Sequence, residues 1–176
     1  MAKTIENTFF DFVNLAVRDS EPKKNGLLSA QEINGLMAVL NPCLVIIKPH
    51  AVNRRNLVDL TEWLISGVGL GVLVDKPVGF TREQVFGIYG DLCEVMAQGD
   101  EGVAFVEGLA SSFVDEGNRG RVMIVYGEDS YMKMRKIKKT LRGLGGEDRF
   151  RNVLHSSDDL SCAMGEINAL LLGNNG

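Results

Sequence analysis

The sequence is poor in the residues that build metal sites and disulfide frameworks. Its 176 residues include only three cysteines and two histidines. Cys43, Cys93 and Cys162 are far apart, odd in number and without the short spacing of a zinc site. We therefore expect reduced thiols in a cytoplasmic protein, and no zinc site can be assembled from these cysteines.

Long apolar runs and an excess of positive charge are also missing. No apolar stretch reaches the roughly 18 residues that a membrane span requires. Glu6 and Asp11 interrupt the apolar N-terminal stretch, which a signal peptide would keep continuous. The formal net charge of -4 argues against a surface built to hold nucleic acid or anionic lipid. We expect no membrane partner, no specific nucleic-acid partner and only a local anion site.

Pro42 separates an N-terminal extension from the main domain. Residues 1–42 are predicted to be helical, with an apolar stripe over 4–18 and a capping-box pattern at Ser29 and Glu32 that begins a second helix. Residues 43–172 form the predicted domain, and the asparagine and glycine tail, 173–176, is expected to fray.

The main domain alternates apolar strands with helices. Strands are predicted at CLVII (43–47), LGVLVDKPVGF (70–80), RVMIVYG (121–127) and FRNVLH (150–155). Helices are predicted over about 57–68, from the capping pair Thr81 and Gln84, over about 103–113, over the basic segment 130–143 and over 158–172. The order βαββαβ indicates a sheet covered on one face by helices.

His155 is the first candidate for chemistry, because it follows an apolar strand and precedes two serines and two aspartates. A nucleophilic imidazole needs an accessible nitrogen and a partner that fixes its tautomer. Asp158, Asp159 and Glu166 are nearby carboxylates that could accept from the other ring nitrogen. The alternative is a surface histidine satisfied by its own loop.

Positive charge is concentrated in one segment of an otherwise acidic chain. Six cations lie between Lys133 and Arg142. Arg135, Lys139 and Arg142 would share one helical face, which suits the oxygens of a triphosphate. A solvated helix face or an RNA-contacting patch is the alternative. Lys48 adds a cation at the carboxyl end of a central strand, where ligands of open α/β sheets bind.

Four segments together resemble the nucleoside diphosphate kinase family. LVIIKPHAV (44–52) is similar to its first strand and Lys-Pro motif, and RNVLHSSDD (151–159) with GEI (165–167) is similar to its active-site segment. TLRG (140–143) stands at the family's spacing before the histidine, with no gap. The resemblance implies a ferredoxin-like α/β sandwich with a four-stranded antiparallel sheet.

The resemblance also implies a role for individual residues. His155 would be the phosphorylated histidine, and Glu166 would support its ring. Lys48 and Tyr89 would assist catalysis, Tyr89 by steadying Lys48 or the histidine. The implied nucleotide contacts are made by a base-stacking phenylalanine with the leucine of the same motif, two phosphate-binding arginines and a ribose-contacting asparagine: Phe105, Leu109, Arg135, Arg142 and Asn152. Mg²⁺ would be held through the phosphates, with no protein ligand.

Some positions depart from the family pattern. His50 replaces its aspartate and Ser156 its glycine, and extra residues lie between Tyr89 and Phe105. The stretch from Arg135 to Arg142 is shorter by about ten residues, a length typical of a tight helix-to-helix turn. The missing segment carries a phosphate-contacting threonine and helps subunits meet at a threefold axis, so a homodimer is favoured over a hexamer.

These observations predict a phosphotransferase that moves the γ-phosphate of a nucleoside triphosphate to a nucleoside diphosphate through His155. The alternative is a nucleotide-binding or regulatory module of the same fold without efficient transfer. A ferredoxin-like regulatory domain without nucleotide chemistry would leave the joint spacing of Arg142, Asn152, His155 and Glu166 unexplained.

Overall fold

A computed structural model describes residues 40–90, 99–114, 119–145 and 152–172. The helical extension predicted for 1–42 lies outside these residues except at its last three positions, and so does the tail. The strands are β1 (Cys43–Ile47), β2 (Gly71–Val78), β3 (Gly120–Tyr126) and β4 (Leu154–Ser156). The helices are α1 (Pro49–Val52), α2 (Arg55–Gly67), α3 (Arg82–Ile88), α4 (Gly99–Val114), α5 (Ser130–Gly145) and α6 (Leu160–Leu172).

The four strands form one antiparallel sheet in the order β2-β3-β1-β4. This order, with helical crossovers between β1 and β2 and between β3 and β4, is the ferredoxin-like topology and confirms the predicted fold class. β4 is an edge strand whose residues Leu154, His155 and Ser156 pair with β1, and residues 150 and 151 of the predicted strand 150–155 lie outside the described residues. The functional segment therefore lies at the margin of the sheet.

Helices cover both faces of the sheet, so the expectation of one covered face was wrong. On one face, Leu44 and Ile46 pack with side chains of α3, α4 and α6. On the other face, Val45 and Ile47 pack with side chains of α2 and α5. All five residues of β1 are fully buried because the strand faces a core on each side. This explains why β1 is a continuous apolar run rather than an alternating one.

Helix α3 begins at the predicted capping box. The Thr81 side chain accepts a hydrogen bond from the Gln84 backbone N–H, and Gln84 Oε1 accepts from the Thr81 backbone N–H at 2.9 Å. The Gln84 amide also donates to the Leu170 carbonyl at 2.7 Å, in the core. Gln84 therefore satisfies a backbone N–H at the start of α3 and also links that helix to α6 by a hydrogen bond.

A one-turn helix that the sequence did not predict, α1, follows β1 directly. Pro49 occupies its first turn, where the missing backbone N–H costs nothing. The Lys48 backbone N–H donates to the Val153 carbonyl at 3.1 Å, which joins the end of β1 to the chain entering β4. Within the described ranges, no helix combines the length and apolar character that crossing a bilayer demands.

Candidate active site

The centre of the site is a contact between His155 and Glu166. His155 is the cross-strand partner of Ile46, so its ring lies on the face covered by α3, α4 and α6. Glu166 projects from α6 and brings Oε1 to 2.8 Å from His155 Nε2. Both side chains are about nine-tenths buried. The predicted pair is therefore in contact, away from bulk solvent.

The first turn of α6 fixes where Glu166 lies. Asp159 precedes the helix, and its carboxylate accepts from the Cys162 backbone N–H at 2.8 Å. This hydrogen bond holds the pKa of the Asp159 carboxyl below its usual range. Asp159 thus caps the helix and does not contact the imidazole, so Glu166 is the orienting carboxylate among the candidates.

Ser157 also contacts this pair, which the sequence did not predict. Its Oγ donates to the second carboxylate oxygen of Glu166, Oε2, at 2.5 Å. The same Oγ accepts from the Leu44 backbone N–H at 3.2 Å, and the Ser157 N–H donates to the Leu44 carbonyl at 3.0 Å. The signal was present in the two hydroxyls after His155, but only the fold shows which of them reaches the carboxylate.

These contacts determine the imidazole tautomer. An ionised carboxylate only accepts hydrogen bonds, so Nε2 carries the proton that points at Glu166 and Nδ1 keeps its lone pair. The Tyr89 ring meets the imidazole edge-on with centroids 4.8 Å apart, and also packs on Phe113 at 5.9 Å. The ring of His155 is thus fixed in orientation, with Nδ1 as the ring nitrogen that does not face Glu166.

The described cysteines near the site are poor nucleophiles. Burial, followed by the negative charge of Glu166, raises the pKa of the Cys43 thiol to about 12. The pKa of Cys162 is also raised, first by burial and then by its hydrogen bond with Asp159. Both thiols therefore stay protonated at neutral pH, because the thiolate is the reactive form.

Helix α5 supplies cations along the outer edge of β4. Arg142 Nη2 donates to the Leu154 carbonyl at 3.3 Å and to Asn152 Oδ1 at 3.3 Å. Lys138 Nζ donates to the Ser156 carbonyl at 3.0 Å. The Ser157 N–H and the Val153 carbonyl form hydrogen bonds with Leu44 and Lys48, so these alternate residues face the central strand. The carbonyls of Leu154 and Ser156 therefore point to the outer edge of β4.

The segment from Arg135 to Arg142 is one continuous helix, so the expected tight turn between helices is absent there. Arg135, Lys138 and Arg142, at positions i, i+3 and i+7, face β4 and its following loop, with Arg135 reaching Asp158 at 3.5 Å. The predicted face contained Lys139 in place of Lys138. One position on a helix corresponds to a rotation of about 100°, which is enough to exchange the two lysines.

A pocket of about 540 Å³ opens around the edge of β4. Tyr89, His155 and Glu166 reach it from one face of the sheet, and Lys138 and Arg142 reach it from the other. Asp158 and Cys162 lie in the same lining. The pocket therefore joins the imidazole to two cations, an arrangement that could bind a phosphoryl group.

Five predicted site residues are outside the described lining of this pocket. Lys48 is fully buried, with Nζ 4.7 Å from the centroid of the Phe113 ring. Phe105 is half-buried on α4, and Leu109 lies one turn further on in the core. The other two, Arg135 and Asn152, are beside the pocket through their contacts with Asp158 and Arg142.

Ser156, which stands where the resemblance expects glycine, is buried beside His155. It pairs with Val45 and faces the opposite side of the sheet from the imidazole. Its hydroxyl has no hydrogen-bond partner among the described residues, whereas its carbonyl accepts from Lys138. The substitution therefore does not obstruct Nδ1.

Comparison with known structures shows the same fold in nucleoside diphosphate kinases. The enzyme from Encephalitozoon cuniculi is 23% identical, with a TM-score of 0.64 over 74% of this chain and 88% of that one. The enzyme from Aquifex aeolicus is 22% identical, with a TM-score of 0.59 over 74% and 94%. An NDP kinase from Pyrobaculum aerophilum is 20% identical, with a TM-score of 0.56 over 74% of this chain and 94% of that one. No protein-family model and no curated protein sequence matches the chain.

The Ser157 hydroxyl should contribute measurably to stability. In Ser157→Ala, Glu166 Oε2 and the Leu44 N–H lose a buried partner, so the free energy of unfolding is expected to fall by about 1–3 kcal/mol. Urea unfolding followed by circular dichroism measures the difference. Ser112→Ala is the matched control, because the Ser112 hydroxyl donates to the Leu109 carbonyl of its own helix. Equal stability of Ser157→Ala and the parent would contradict the role of this hydroxyl.

Proposed function

We propose that this protein is a phosphotransferase of the nucleoside diphosphate kinase type, with His155 as the phosphoryl carrier. One observation carries the proposal. The imidazole is fixed by Glu166 at 2.8 Å and shares a pocket with the cations of α5. A fixed nucleophile beside positive charge is what phosphoryl transfer requires, since positioning and electrostatic stabilisation supply nearly all of the catalysis.

In the first half-reaction, the Nδ1 lone pair attacks the γ-phosphorus of a nucleoside triphosphate. A nitrogen–phosphorus bond forms, the bond from phosphorus to the β–γ bridging oxygen breaks, and the diphosphate leaves with that electron pair. In the second half-reaction, the terminal oxygen of another nucleoside diphosphate attacks the phosphohistidine and the bond to Nδ1 breaks. The Nε2 proton stays hydrogen-bonded to Glu166 throughout, and the carboxylate stabilises the positive ring.

We propose for the remaining predicted residues the roles that the resemblance implies, with Arg135 beside the pocket as a second phosphate-binding arginine. Arg142 would bind phosphate oxygens from the pocket wall, and Asn152 beside it would contact the ribose. Phe105 would stack on the base, supported by Leu109 at position i+4 of the same helix. Lys48, two residues beyond Ile46 on the face that carries His155, would add positive charge at longer range.

Mg²⁺ fits this site as part of the nucleotide substrate. Among the described residues, no three histidine, cysteine, aspartate or glutamate side chains lie close enough together to hold a metal ion. Both oxygens of Glu166 already accept hydrogen bonds, and Asp158 is an exposed carboxylate on the pocket wall. The ion would therefore be held by phosphate oxygens and water, with Asp158 nearby, and would neutralise charge on the phosphates.

A binding module without efficient transfer is the second candidate. The burial of Lys48 against Phe113 favours it, because a predicted catalytic ammonium lies outside the described pocket lining. Such a module would bind nucleotide and form no phosphohistidine.

Labelling with γ-³²P ATP and Mg²⁺ tests the carrier role. The parent protein is expected to retain acid-labile, base-stable label, since phosphohistidine has that stability, and His155→Ala is expected to retain none. His50→Ala is the matched control because the chain has only two histidines. Label that persists in His155→Ala would remove this residue from the mechanism, and an unlabelled parent that still binds ATP would favour the module.

The charge of Glu166 should set the rate of transfer. Glu166→Gln keeps the size of the side chain and removes the charge that stabilises the positive imidazole. Phosphohistidine formation, measured by rapid quench, is expected to slow by about 10- to 1,000-fold. An unchanged rate would mean that another group orients the ring. Glu107→Gln, on an exposed position of α4, is the control.

We also propose a cytoplasmic dimer. The continuous helix from Arg135 to Arg142 leaves no room for the segment that meets other subunits at a threefold axis in the resembled family. Light scattering should give twice the 19.3 kDa chain mass. A mass six times that of the chain would contradict the proposal.

A further inference from the structure

We propose that Lys138 is a phosphate-binding residue of this site and supplies the ammonium group that meets the transferred phosphoryl. This inference rests on the proposed function and assigns a part of the site that the resemblance does not assign. The other lysine expected to do this, Lys48, is buried against Phe113. Of the two, Lys138 is the one that lines the pocket with His155.

The matched spacing of residues on α5 and β4 positions the Lys138 side chain. Lys138 and Arg142 are four residues apart on α5, a rise of about 6 Å. The carbonyls that they contact, those of Ser156 and Leu154, are two residues apart on β4, about 6.6 Å. The spacing of the two cations on α5 therefore matches the spacing of the two carbonyls on β4, and a backbone oxygen orients each cation.

The ammonium group retains capacity for a ligand. An ammonium has three N–H donors. Among the described residues, Nζ of Lys138 uses one on the Ser156 carbonyl at 3.0 Å and a second on Asp158 at the longer distance of 3.4 Å. The third donor is left for a phosphate oxygen. The side chain is only 13% exposed, so little rotamer freedom remains to be lost on binding.

Asp158 contacts two of the cations of α5. Its Oδ1 lies 3.4 Å from Lys138 Nζ and 3.5 Å from Arg135 Nη2, and the carboxylate is 59% exposed. Exposed pairs at such distances contribute little stability. A phosphate group carries more negative charge and would exchange with the Asp158 carboxylate at Lys138, leaving the bond to the Ser156 carbonyl intact.

Binding of inorganic tripolyphosphate without metal, measured by calorimetry, tests this role apart from base recognition and chemistry. Lys138→Gln is expected to weaken binding about 10- to 100-fold, the range of a charge-assisted hydrogen bond. Lys138→Arg keeps the charge and should restore most of the affinity. Lys136→Gln removes the same charge from an exposed position on the other side of α5 and should change affinity less than about twofold.

A fourth variant separates binding from packing. Asp158→Asn removes the competing carboxylate and is expected to bind tripolyphosphate a few-fold more tightly, which damage to the fold would not produce. Thermal unfolding of each variant, followed by circular dichroism, verifies that it is folded at the temperature of the titration. Unchanged affinity in Asp158→Asn would overturn the exchange at Lys138.

The outcomes distinguish this inference from the proposed function. Affinity in Lys138→Gln equal to that of the parent, or no tripolyphosphate binding by the parent, would overturn the role of Lys138. Lys138-dependent binding by a parent that forms no phosphohistidine would support the Lys138 site and contradict the transfer proposal. Rapid phosphohistidine formation that is unaffected in Lys138→Gln would support transfer and contradict the inference.

Discussion

The site depends on one carboxylate that accepts two hydrogen bonds. Glu166 takes the His155 N–H on one oxygen and the Ser157 hydroxyl on the other, and Ser157 is itself bonded to Leu44 in β1. Central strand, edge strand and α6 therefore meet at this group. A buried carboxylate is stable only when its oxygens are satisfied, so the arrangement that holds the imidazole also contributes to closing the fold.

The sequence predicted the elements of the domain well because their signals are local. The apolar run of β1, the capping box of α3 and the strand–helix order predicted the elements and their order, and the family resemblance implied the ferredoxin-like topology. The number of sheet faces that helices cover is not a local property of the sequence. It depends on where α3, α4 and α6 pack, and only the complete burial of β1 by cores on both sides reveals it.

Within the site, spacing identified the histidine and its carboxylate but not all the groups around them. Ser156 and Ser157 are adjacent hydroxyls, and the alternation of the strand decides which one faces Glu166. Lys138 and Lys139 are adjacent cations, and the rotation of α5 against β4 decides which one enters the pocket. The choice between neighbouring residues therefore depends on packing, which the sequence pattern alone does not contain. The identities of 20–23% to known kinases, with no match to a family model, fit a chain in which short motifs persist on a shared fold.

The contacts of α5 with β4 also affect how the sheet can grow. An edge strand with open backbone groups invites pairing with another chain, which leads to aggregation. Here the side chains of Lys138 and Arg142 donate hydrogen bonds to the outward carbonyls of Ser156 and Leu154. A strand that added at this margin would first have to break these two side-chain hydrogen bonds, which makes strand addition at β4 less favourable.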